Sequence, residues 1–103
     1  MPQIARVWFG TLKANRLEEY VSYMKNTGVN DLRATKGNEG VLLLTRVEND
    51  LAEVSIISFW ESEEAIQGFA GKDINQARYY PEDKEFLLKL EPTLRHFKVE
   101  EKG

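Results

Sequence analysis

The sequence predicts an α+β protein of the ferredoxin-like plan, βαββαβ: a four-stranded antiparallel sheet with two main helices on one face. Three observations predict it. Segments of alternating, β-forming residues lie near each end of the chain, at Ile4–Phe9 and Leu94–Glu100. Two apolar runs, Val41–Val47 and Ala52–Trp60, flank the turn residues Glu48-Asn49-Asp50, as in a hairpin. Apolar residues at helical spacing precede and follow that hairpin.

The elements follow in order. Ile4–Phe9 is strand 1, and Gly10–Ala14 reads as a connector. Asn15 is placed to cap a helix whose Leu17, Tyr20, Val21 and Met24 form one stripe, with Gly28 at its end. A short helical or irregular piece covers Leu32–Lys36, and Gly37-Asn38-Glu39-Gly40 is turn chemistry. After the hairpin, Ser62 is an N-cap, with Glu63 and Glu64 where the helix dipole favours acid. Ile66, Phe69 and Ala70 form the inward stripe of that second helix, and Gly71 closes it. Asp73–Ala77 reads as a further helical turn, and Tyr79-Tyr80-Pro81 breaks it. Glu82–Leu88 reads as a short helix stopped by Pro92. Leu94–Glu100 is strand 4. The 103 residues, 1–103, are the size of one domain.

Composition excludes several function classes. Seventeen acidic against fourteen basic residues leave a net charge of −3, which argues against nucleic acid as a partner. No apolar run approaches the ~20 residues of a membrane span, so no membrane partner is expected. Met1–Gly10 is too short and too interrupted by Arg6 to be a leader, so a cytoplasmic location is the expectation. With no Cys and one His, thiolate chemistry is excluded and a metal site is unexpected. No phosphate-loop, dinucleotide, nucleophile-elbow or zinc-protease pattern occurs.

The middle strands predict a partner. A half-exposed antiparallel strand alternates apolar and polar residues. Val41, Leu42, Leu43 and Leu44 are consecutive, and strand 3 has Val54, Ile56 and Trp60 on one side with Ile57 and Phe59 on the other. Two helices cover only one sheet face, so a second copy of the chain, face to face about a two-fold axis, is the expected cover. Hiding roughly 1,000 Å² of apolar area is worth on the order of 25 kcal/mol before entropy and association costs. The alternative is that the C-terminal segment folds over the second face.

Phe59-Trp60-Glu61-Ser62-x-Glu64-Ala65-Ile66-x-x-Phe69, at a strand-to-helix junction, resembles the antibiotic biosynthesis monooxygenase family of dimeric α+β barrels. Tyr79-Tyr80-Pro81-Glu82-Asp83, Phe86-Leu87-Leu88 and Glu91-Pro92 resemble an uncharacterised bacterial subgroup of it. The resemblance implies a homodimer with a pocket between helices and sheet in each subunit. It also implies oxygenase chemistry with no metal or flavin cofactor, on a small hydrophobic or aromatic, quinol-type molecule. Haem-degrading relatives pair a strand 1 Asn and a His after helix 2 with a Trp ending strand 3. Trp60 matches, but Trp8 lies where the Asn is expected, and the segment after helix 2 has Tyr79 and Tyr80 but no His. Haem degradation is therefore disfavoured.

Within that frame, catalytic candidates are His96, Tyr79 and Trp60. His96 is the one side chain that titrates near neutrality, and it is a base or a structural His. Strand parity turns it away from Phe97 and Val99; if those two face the helices, His96 faces the dimer side. Trp60 offers a stacking face at the start of helix 2, or is core. Tyr79 and Tyr80 precede Pro81 in a loop that either lids the pocket or packs on helix 2. Arg6, Trp8 and Tyr80 are substrate-binding candidates. Arg6 shares a face with Trp8, and either holds an anionic group or stacks on that indole. Glu18-Glu19 and Glu63-Glu64 diverge on their helices and read as solvated faces. A dimeric binding module with no catalysis is the second reading of the whole chain.

Overall fold

The computed structural model describes residues 3–103. The leader reading begins at Met1, outside the described residues. The chain runs β1 (Ile4–Lys13), a 3-10 turn (Ala14–Arg16), α1 (Leu17–Asn26), α2 (Gly28–Ala34), β2 (Asn38–Glu48), β3 (Leu51–Trp60), α3 (Glu63–Ala70), α4 (Asp83–Phe86) and β4 (Arg95–Lys98). The strands form one antiparallel sheet in the order β2-β3-β1-β4, the ferredoxin-like arrangement.

Register decides what each face carries. Directly paired residues share a face. Ile4 pairs with Trp60, Arg6 with Ser58, Trp8 with Ile56 and Leu12 with Ala52. Arg6 also pairs with His96 of β4, and Leu43 of β2 pairs with Ile56. This face meets the helices. Tyr20 and Met24 of α1, with Val29 of α2, pack on Leu12, Ala52 and Val54, and Phe86 and Leu87 complete that cluster. A second cluster joins Leu32, Trp60, Ile66 and Phe69.

The opposite face bears Val7, Phe9, Leu42, Leu44, Ile57, Phe59 and Phe97. Phe9 and Leu42 are each 47% exposed, and Leu44 and Phe97 46%. The C-terminal tail reaches this face at Phe59, where the Lys102 ammonium sits 4.4 Å from the ring centroid. It leaves the other rings and leucines open.

Several local expectations hold. The Ser62 hydroxyl caps α3 by accepting from the Ala65 N–H at 3.1 Å, and Gly71 ends that helix at φ 90°. Asn49, at φ 56°, forms the hairpin turn between β2 and β3.

Four expectations are corrected. Gly10–Lys13 is strand, not connector, because Leu12 is fully buried and the row stays paired to Leu51. Asn15 does not cap α1: it lies in the 3-10 turn, and the helix starts at Leu17 without a side-chain cap. Gly28 begins α2 rather than ending α1; the chain bends at Thr27, whose hydroxyl donates to the Tyr23 carbonyl at 2.8 Å. Asp73–Ala77 is not helical. Asp73–Gln76 form a single turn closed by the Gln76 N–H to the Asp73 carbonyl, and the segment is held against Pro92–Leu94 by the Gln76–Thr93 bridge, the Ala77 N–H to the Pro92 carbonyl and the Leu94 N–H to the Asn75 carbonyl. No helix among the described residues is long and apolar enough to cross a membrane.

Candidate functional site

A cavity of about 60 Å³ opens between the sheet and the helices. That is room for a few water molecules and well below the ~300 Å³ of a typical drug-sized pocket, so a ligand of aromatic size requires its walls to part. Arg6, Trp8, Ile56 and Ser58 form its floor; Tyr20, Met24 and Gly28 one wall; Phe69, Arg78, Tyr79, Tyr80 and Asp83 the other.

Gly10 sets the position of Trp8. A Cβ on Gly10 would lie 2.7 Å from the tip of the Trp8 ring, so the indole lies along the strand in space a side chain would fill. The Trp8 indole N–H donates to the Tyr79 hydroxyl at 3.0 Å, and that hydroxyl donates to the Glu91 carbonyl at 2.7 Å. The two rings meet edge to face. Burial raises the Tyr79 pKa above its ordinary value, so the phenol stays protonated at neutral pH.

Arg6 is 3% exposed. Its guanidinium donates to the Ile74 carbonyl and to the Gln76 carbonyl at 3.2 Å, which is why the segment around residue 75 lies where it does. The third partner is His96 Nε2, at 3.0 Å. Arginine has only donors, so Nε2 accepts and the His96 proton sits on Nδ1, which is buried without a partner. Burial, then the Arg6 charge, holds the His96 pKa below its ordinary value, against an upward pull from Glu63. Burial alone lowers the Arg6 pKa to about 10.

At the other end Tyr20 donates to Asp83 Oδ1 at 2.9 Å, and the Tyr80 backbone N–H donates to Oδ2 at 2.6 Å. Burial and the neighbouring carboxylate raise the Tyr20 pKa strongly. The Tyr80 hydroxyl donates to Asp31, and burial followed by that bond raises its pKa as well. Arg78 lies over the Phe69 and Tyr80 rings, 4.6 and 5.2 Å from their centroids, and donates to the Phe69 carbonyl.

Of the residues singled out in the sequence, Arg6, Trp8, Tyr79 and Tyr80 meet around the cavity. His96 stands behind Arg6. Phe97 is on the open face, so the condition that would turn His96 away from the helices fails, and His96 faces them. Trp60 does not line the cavity. It is completely buried, its rings packed among Leu32, Ile66 and Phe69 and its N–H donating to the Ser58 hydroxyl at 2.8 Å. Its stacking face is therefore used by the core, and Ser58 is what that strand end shows to the cavity. Arg6 does not stack on Trp8; the ring beneath it is Phe69, at 6.0 Å.

Sequence reasoning missed Tyr20 and Asp83. Tyr20 was visible as the polar-tipped member of an apolar helix stripe, a type that finds a partner when buried. Asp83 carried no signal in a segment rich in acids. Among the described residues no group of three or more His, Asp or Glu converges as a metal site.

No protein-family model matches the chain, and no curated protein does. Solved structures do. A Bacillus cereus protein described as a candidate antibiotic biosynthesis monooxygenase superposes with a TM-score of 0.70 at 16% identity, over 100% of this chain and 98% of that one. A protein of unknown function from Nitrosomonas europaea superposes at 0.62 and 14% identity, over 100% and 94% of the two chains. The chain shares the ferredoxin-like α+β fold of these two structures over its whole length.

Proposed function

We propose that the chain is a homodimeric oxygenase-like protein that acts, without metal or flavin, on a small aromatic or quinol-type molecule held between helices and sheet. The observation that carries this reading is the lining of the cavity: Trp8, Phe69 and Tyr79 around a space whose one carboxylate is Asp83. Rings of this kind bind a flat aromatic body, and a buried carboxylate takes a proton from an acidic C–H or O–H. The resulting anion is the electron donor to dioxygen. A methylene between aryl rings would become a ketone. One oxygen atom of dioxygen enters the new carbonyl, and the other leaves as water with both methylene hydrogens. That change balances with no added reductant. Tyr20, hydrogen-bonded to Asp83 and kept protonated, orients the base. His96 and Trp60 support the floor from behind, through Arg6 and Ser58. The open apolar face, with Phe9, Leu42, Leu44 and Phe97, supports pairing with a second copy.

A binding module without catalysis is the second reading. It is favoured by His96, whose Nε2 lone pair is occupied by Arg6 and so is not free to take a proton. Oxygen consumption over a panel of hydroquinones and anthrones separates the two. The oxygenase reading expects one dioxygen consumed per substrate, and a loss of about a hundredfold or more in Asp83→Asn. Tight binding with no oxygen consumed across the panel would leave only the binding module.

A further inference from the structure

Arg6 is a buried cation whose direct hydrogen-bond partners are all neutral, with a second cation, Arg78, on the same Phe69 ring. The carbonyls of Ile74 and Gln76 and the Nε2 of His96 accept from it, and the Phe69 ring lies beneath it. Among the described residues it makes no ion pair within 4.0 Å. The guanidinium has five N–H groups. Three are engaged, which leaves the Nε–H and one Nη2–H without an acceptor among the described residues. Burying a charge without a counter-charge is costly, and arginine does not escape that cost by losing its proton. Arg6 also lines the cavity, whereas Asp83, the carboxylate there, has one oxygen on Tyr20 and the other on the Tyr80 N–H.

We infer that the ligand is an anion: a planar oxyanion attached to an aromatic ring, carboxylate or phenolate, whose negative charge sits on Arg6 and completes its coordination. This rests on the cavity being the ligand site, and it adds a charge requirement that the aromatic lining alone does not impose. The geometry gives the ligand a direction. The oxyanion lies at the β1–β4 end, against the donors that His96 and the two carbonyls hold in place. The ring lies between Trp8 and Phe69, and Asp83 repels the anionic end toward Arg6. His96 is on this account a positioning residue, which fixes the guanidinium plane through Nε2 while staying neutral.

Three probes test the charge requirement at fixed ionic strength: benzoate, the isosteric neutral benzamide, and p-nitrophenolate. Calorimetric titration of the wild-type protein is expected to give benzoate at least about tenfold tighter binding than benzamide, the scale of one charge-assisted hydrogen bond. The p-nitrophenolate arm tells whether a single-oxygen anion suffices or a carboxylate is required. Arg6→Met is expected to remove the preference while benzamide binding stays within a fewfold, and Arg6→Lys to keep part of it. Benzamide binding as tightly as benzoate to the wild type would overturn the inference, as would an unchanged preference in Arg6→Met. If Arg6→Met does not fold, the wild-type ratio and Arg6→Lys decide. Failure here differs from failure of the oxygenase reading. An anion preference without oxygen consumption leaves the inference standing and removes the oxygenase; oxygen consumption with neutral and anionic substrates alike does the reverse.

Discussion

Each face of the sheet holds, beside its expected residues, some that belong on the other. The covered face carries Arg6, Ser58 and His96 and meets Tyr20 and Asp83 from the helical layer. The open face carries Phe9, Leu42, Leu44 and Phe97. A monomer in water gains by the opposite arrangement, with apolar groups inside and charge outside. Polar groups are kept in a covered layer when they have work there, and apolar ones on a surface when something else covers it. The buried polar groups mark where a ligand is sought, and the exposed apolar cluster, bordered by Arg46, Glu48, Glu53 and Arg95, marks where a partner is sought.

The largest effect is expected from breaking the open face. Leu42→Lys combined with Leu44→Lys would place four charges in the proposed two-fold interface. Each position should cost about 2 kcal/mol or more, about thirtyfold in dissociation constant. Sedimentation is expected to show the mass of the variant at half that of the wild type. A wild-type protein already at 11.9 kDa at micromolar concentration would remove the partner from the comparison.

The covered face is sharpened by Tyr20→Phe. The change keeps the ring packed against Phe86 and Tyr23 but withdraws the donor from Asp83 Oδ1. A loss of about 1–3 kcal/mol is expected from a buried carboxylate short of a partner. Urea unfolding reads it, and an unchanged midpoint would show that the Tyr20–Asp83 bond does not hold the layer together.

The smallest effect is a pH slope. The His96 pKa in the folded chain lies below the ordinary 6.5, so the unfolded chain takes up the proton first. Stability is therefore full above about pH 6.5 and falls as pH drops through that value toward the folded pKa. Protonation would also set a second cation against Arg6. His96→Gln is expected to flatten this part of the profile of melting temperature against pH. A slope that persists in the variant would assign it to other groups.

What could be read from the sequence follows from range. The Ser62 cap, the Asn49 turn and the Gly71 stop depend on a few neighbouring residues, and each is visible as a local pattern. Strand parity also placed Ile56 and Trp60 opposite Ile57 and Phe59, because a period of two needs no tertiary knowledge. It could not say which face the helices choose, and that choice decides where His96 points. Gly10 misled for a related reason: its missing side chain marks room for Trp8 rather than a break in the strand. The segment around Gln76 has a helical composition, but its carbonyls face a buried guanidinium from a strand some seventy positions earlier. Of the site, the aromatic and cationic members stood out by type, whereas Asp83 acquires its meaning only from Tyr20, 63 residues away.

The two tryptophans occupy opposite situations, one in the cavity floor and one sealed in the core. The protein thus carries two built-in fluorophores with separate duties. An occupant of the proposed site is expected to quench or shift chiefly the emission of Trp8, while loss of the native state alters both, and a Trp8→Phe chain isolates the second signal as an internal standard.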